Sequence, residues 1–134
     1  MTPELLWLLA TAALVGSLWI PYIVGVNTTP HGGDEDPFVR PPDHRLQVPW
    51  VHRAHRAHLN ALEQFAPFAA MVLVGAVAGV SGPLTTGLAV AFLGLRLVHA
   101  AGMIGGWARM PLRPLVFTAG WLVTIAYALA LLLG

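Results

Sequence analysis

Cysteine is absent from the sequence. Disulfides, thiolate metal sites and a cysteine nucleophile are therefore excluded, and any thiol chemistry has to come from a ligand. Lysine is absent too. Seven arginines face six acidic residues for a net charge of +1, a field too weak to hold nucleic acid. Only 10% of residues are charged, against roughly 25% in soluble domains. What is there instead is apolar: 57% of the chain is hydrophobic and the mean hydropathy is +0.71. That balance belongs to an integral membrane protein. At 134 residues the chain, 1–134, reads as a single domain. In lipid its core must rest on helix-to-helix packing rather than on escape from water, and oligomerisation would add to it.

Four apolar stretches are each long enough to cross about 30 Å of hydrocarbon at roughly 1.5 Å per residue. They are residues 4–26, 50–79, 84–106 and 111–133, so the expected fold is an all-α bundle of four transmembrane helices. The first stretch lacks a basic start and a small-residue cleavage site, and Glu4 precedes it, so it reads as a retained span. Residues 27–49 contain Pro30, Gly32, Gly33, Pro37, Pro41, Pro42 and Pro49 and read as a long irregular loop. Within it, Asp34-Glu35-Asp36 lacks calcium-loop spacing and reads as a solvated turn. Trp50 is of the interfacial anchor type, and Pro111 suits a helix start. Arg40, Arg45, Arg53, Arg56, Arg109 and Arg113 all fall on the side of the long loop. The other side has the turn at 80–83, both termini and Glu4. The positive-inside rule then places the loop in the cytoplasm, in an inner or plasma membrane.

The second span carries charge into the apolar region. At roughly 100° per residue, Arg53, Arg56, Asn60, Glu63 and Pro67 fall within about 80° of one another, on a helix that continues into the apolar stretch 69–80. Ionisable groups at such depth mark a site by default. Pro67 has no N–H, so it is expected to kink the helix and free the carbonyl of Glu63. Arg96 lies about ten residues inside the third span, where an unpaired guanidinium costs several kcal/mol. Glu63, the acid inside a span, reaches a similar level if the two helices pack antiparallel, so an Arg96–Glu63 ion pair is expected. The bland account of that pair is register alone.

Arg53, Arg56 and Arg113 converge at one membrane face with Asn60 beside them, and planar guanidinium forks there suit carboxylates. Contact with anionic lipid heads is the competing reading. His52, His55 and His58 drift by about 60° per step, too widely for three ligands from one helix, so no metal is expected. His99 reads as a packed or hydrogen-bonded histidine rather than a haem ligand. Gly75/Gly79 and Gly102/Gly106 have the spacing for close helix contact.

The run Arg53-x-x-Arg56-Ala57-His58-x-Asn60-x-x-Glu63-x-x-x-Pro67-Phe68 resembles the signature of the MAPEG family, the membrane-associated proteins in eicosanoid and glutathione metabolism. Arg96-Leu97-Val98-His99 and Pro111-Leu112-Arg113 are similar to motifs of that family's third and fourth helices. The four-span layout agrees over nearly the whole chain. The resemblance implies a homotrimer of four-helix subunits in contact with membrane lipids. Glutathione would be the co-substrate, bound between neighbouring subunits near the cytoplasmic face. It implies Arg113 as the catalytic group that stabilises the glutathione thiolate, and Arg53, Arg56, Asn60, Glu63, Arg96 and Phe117 as glutathione-binding positions. Phe117 stands where some members carry tyrosine, Pro114 where some carry serine, and Met103 in place of an aromatic residue.

The implied activity is that of a membrane-bound, microsomal-type glutathione transferase or peroxidase, acting on a lipophilic electrophile or hydroperoxide that enters from lipid. A non-catalytic lipid-binding or scaffold member of the same fold is the alternative that Pro114 and Phe117 allow. A small proton-coupled transporter using Glu63 is a third reading, and it leaves the arginine cluster unexplained.

Overall fold

A computed structural model describes residues 1–30 and 43–133. Helices α1 (Pro3–Ser17) and α2 (Trp19–Thr28) together form a first span, followed by α3 (Pro49–Ala78), α4 (Pro83–Gly105) and α5 (Leu112–Leu133). These make 4 spans long and apolar enough to cross a membrane. A single 3₁₀ turn, His44–Leu46, leads into α3. The first helix runs beyond the expected end at residue 26, because Asn27 and Thr28 bond their side chains back to Ile23 O (2.8 Å) and Val24 O (2.7 Å). The Asp34-Glu35-Asp36 run and the rest of 31–42 lie outside the described residues.

Pro21 divides the first span. It offers no N–H to the carbonyl of Ser17 four residues earlier, and its ring crowds that carbonyl. The chain tightens there, with Leu18 N–H bonding Val15 O at 3.3 Å. Pro67 poses the same problem to α3, yet the helix continues unbroken past it to Ala78. Residues on both sides of Pro67 hold α3 in place: Gln64, Phe68 and Val72 are all buried. The expected kink therefore does not interrupt the helix.

The small-residue pairs divide by role. Gly79 (φ +73°) and Gly106 (φ +77°) end α3 and α4 in the left-handed conformation, which strains any residue with a Cβ. Both are caps; a Cβ at Gly79 would meet nothing within 4 Å, whereas Gly106 also lies against the Arg53 guanidinium. Gly75 and Gly102 do lie at close approaches: a Cβ at Gly75 would meet Leu131 of α5 at 2.8 Å, and one at Gly102 would meet Ala108 at 2.6 Å.

Helix α4 packs against α1, α3 and α5. Its buried positions, Thr85, Ala89, Phe92, Arg96, His99 and Met103, recur every three or four residues, so one face meets the rest of the bundle. Phe68 of α3 stacks on Phe92 with ring centroids 3.9 Å apart, and Tyr127 of α5 meets Phe68 edge-on at 5.6 Å. Leu8, Val72 and Ala89 complete this cluster. Beyond it, at the turn between α3 and α4, the carboxylate of Glu4 is buried. It accepts from Ser81 Oγ (2.9 Å), Gly82 N–H (3.2 Å), Thr85 Oγ1 (2.6 Å) and Thr86 Oγ1 (2.9 Å). An anion at the start of α4 also suits the helix dipole, so Glu4 ties α1 to the first turn of α4.

Candidate functional site

At the opposite end of the bundle, α3 begins, α4 ends and α5 begins around a common hollow. Arg45, Arg53, Arg56, Arg109 and Arg113, with His52, line a cavity of about 540 Å³. None of its described lining residues is an acid. On the other side of Arg113 lies a second hollow of about 340 Å³, more apolar, with Asn60, His99, Pro114, Phe117 and Thr118 in its walls. Arg113 lines both. A guanidinium shared by a basic and an apolar space can face an anionic sulfur on one side and a lipophilic reactant on the other.

The sequence-derived residues are distributed as follows. Arg53, Arg56 and Arg113 meet around the basic cavity, and Asn60, Phe117 and Arg113 around the apolar one. Arg53 is partly engaged: its Nε donates to Met103 O (3.0 Å) and its Nη2 to Ile104 O (3.4 Å), the last carbonyls of α4. Both carbonyls belong to the last turn of α4, where regular helix partners run out; Met103 O also accepts from the capping Gly106 N–H at 3.2 Å, and a cation there is favoured by the dipole. Arg56 is exposed and Asn60 buried.

Glu63 and Arg96 do not pair, and this corrects the expectation from sequence. Glu63 is exposed on the outer surface of α3, whereas Arg96 is 1% exposed inside the bundle. The residue of α3 that turns toward Arg96 is Gln64, one position on and therefore about 100° around the helix. A Cβ at Gly120 would lie 3.0 Å from Arg96 Cζ and closer still to Arg96 Nη2 and Gln64 Oε1, so both side chains converge on that glycine. Gln64 Nε2 donates to Phe117 O (2.9 Å) and Arg96 Nη2 to Val116 O (3.4 Å). Arg96 Nε and Nη1, Gln64 Oε1 and His99 Nε2 are buried without a hydrogen-bond partner among the described residues. Arg96 also sits 5.5 Å over the Phe92 ring. His99, expected to be packed or hydrogen-bonded, is packed: its ring lies 6.0 Å from that of Phe117.

Several lining residues carry no motif and were missed by sequence reasoning. Arg45 comes from the 3₁₀ turn and Arg109 from the α4–α5 connection, and the only signal for either was its position on the basic side. Gln47, also at the wall of the basic cavity, is buried, and neither side-chain amide atom has a partner among the described residues. Thr118, one residue beyond Phe117, lines the apolar hollow.

Four apolar spans, three of which meet around a basic mouth with a more apolar hollow beside it, define the class: an α-helical integral membrane protein with a ligand-sized site at one end of its bundle. Its family follows from the chain as a whole. The MAPEG family model matches residues 5–133, nearly the full length, and the protein belongs to that family. It is thus a membrane protein of a family in glutathione and eicosanoid metabolism that includes glutathione transferases and related enzymes. No curated protein matches the chain.

Proposed function

We propose that the protein is a membrane-bound glutathione transferase or peroxidase. The observation that carries this reading is the position of Arg113, shared by the basic and apolar cavities. Glutathione has two carboxylates, which Arg56 and its neighbouring arginines are suited to hold as bidentate partners. A thiol with a pKa near 8.5 is mostly protonated at neutral pH, and a guanidinium a few Å away favours its ionised form. The thiolate sulfur then attacks an electrophilic carbon, forming a C–S bond while the leaving group departs with its electron pair. With a lipid hydroperoxide it attacks the outer peroxide oxygen and takes it as a sulfenic acid, releasing the alkoxide for protonation to the alcohol. A second glutathione then yields the disulfide and water. Proximity in a shared cavity supplies much of the rate.

The same reading includes a homotrimer, with the site and the long loop facing the cytoplasm. It is supported by Glu63, exposed on the surface of a membrane-spanning helix, where a carboxylate facing lipid is costly and a neighbouring subunit would cover it. A lipid-binding member without turnover is the rival that Pro114 and Phe117, both lining the apolar hollow, keep in view.

Detergent-purified protein supplied with glutathione and an apolar aryl halide or lipid hydroperoxide is expected to turn over. Arg113→Leu is expected to reduce the rate by about 100-fold. Lipid binding with no turnover of either class of substrate would overturn the proposal in favour of the rival.

A further inference from the structure

The α4–α5 connection is short and tightly organised; it carries Arg109 of the basic cavity and leads into Arg113 in the first turn of α5. Arg53 holds its beginning, through Met103 O and Ile104 O. Gly106 then turns the chain at φ +77°, with Arg53 packed against it so closely that a Cβ would lie 3.0 Å from Arg53 Cζ. The Trp107 ring folds back over the last turns of α4: a Cβ at Gly102 or Gly105 would meet it at 3.2 Å and 3.0 Å. Ala108 N–H bonds Gly102 O at 3.1 Å, Arg109 N–H bonds Trp107 O at 2.9 Å, and Arg113 N–H bonds Arg109 O at 3.0 Å. The path from Arg53 to Arg113 is therefore continuous in hydrogen bonds and packed contacts.

We infer that Arg53 is a positioning residue: it clamps the C-terminus of α4 and so fixes the turn that presents Arg113 to both cavities, rather than serving mainly as a ligand-binding cation. The guanidinium is suited to this because its Nε–H and Nη2–H diverge from one planar fork toward two successive carbonyls. Lysine offers a point charge and cannot reproduce that geometry. The inference rests on the transferase reading for its consequence in chemistry, but the clamp itself is a property of the fold.

Because the chain has no cysteine, a single Met110→Cys substitution accepts a nitroxide label in the turn without background. In the full-length protein in detergent the label is expected to show an immobilised spectral component. That component should be lost in Arg53→Met, reduced in Arg53→Lys, and lost again in Gly106→Ala, which keeps every arginine. In unlabelled protein saturated with glutathione, Arg53→Met is expected to carry about tenfold less thiolate at neutral pH, equivalent to one pKa unit. Gly106→Ala should shift the pH profile in the same direction. An unchanged label spectrum in Arg53→Met and Arg53→Lys would overturn the inference. So would a fall in glutathione affinity with the thiolate profile of the bound ligand unmoved, since Arg53 would then be a ligand group. If the unsubstituted protein forms no thiolate, the transferase reading fails, and the label spectra alone decide whether Arg53 holds the turn.

Discussion

The two ends of the bundle treat buried charge in opposite ways. At the α3–α4 turn a single carboxylate, Glu4, is surrounded by three hydroxyls and a backbone N–H. At the other end five arginines line a cavity that has no acid in its described walls, and Arg96, Gln64 and His99 beneath it keep unbonded polar atoms. A polar group whose partners are complete contributes to holding the fold. A group whose partners are missing costs stability and persists where something else requires it. The first end reads as a fastening and the second as a site.

The largest expected effect on stability lies at the fastened end. Glu4→Ala leaves the Ser81 and Thr86 hydroxyls without this acceptor, while Gly82 N–H keeps Thr85 Oγ1 and Thr85 Oγ1 keeps Gly82 O, both at 3.0 Å, and it should cost about 2–4 kcal/mol, read as a lowered thermal midpoint in detergent. At the site end the sign should reverse. Arg96→Met removes a buried charge that has no carboxylate beside it and should raise stability by about 1–3 kcal/mol, while lowering any glutathione-dependent activity. A loss as large as that of Glu4→Ala would mean that Arg96 is a structural group and would break the comparison. Gly120→Ala forces a methyl against Arg96 and Gln64 and is expected to cost about 1–2 kcal/mol. A neutral result would show that those two side chains do not converge there. The smallest effect belongs to Glu63→Gln, within about 0.5 kcal/mol for a protomer in detergent, because the swap keeps the side chain's size and water can reach this exposed position once lipid is removed. Its consequence should appear instead as easier dissociation of the oligomer on dilution, and unchanged dissociation would detach Glu63 from the proposed interface.

The four long helices are legible in the sequence because hydropathy accumulates over twenty residues and no single position decides it. Finer features depend on contacts that leave no local trace. The break at Leu18 arises from Pro21, whose effect falls on the carbonyl of Ser17, four residues upstream of itself. The level at which Arg96 meets α3 can be read from helix lengths, but the face cannot: Glu63 and Gln64 are adjacent in sequence and about 100° apart in space, and only packing selects between them. Charge arithmetic favours the acid, whereas the bundle turns the amide inward. Arg53 can be recognised as part of a motif, yet its partners are the backbone oxygens of Met103 and Ile104, some fifty residues away. Carbonyl oxygens have no sequence signature. Arg45 and Arg109 stand outside any motif and reach the cavity only through the 3₁₀ turn and the α4–α5 connection.

The central claim is that Arg113, at the border of the two cavities, holds a glutathione thiolate. It is tested most directly by ultraviolet thiolate absorbance, with glutathione titrated into the purified full chain near neutral pH beside Arg113→Leu. The account expects a saturable thiolate signal in the unsubstituted protein and its loss in the variant. A signal absent from both, or equally strong in both, would contradict it.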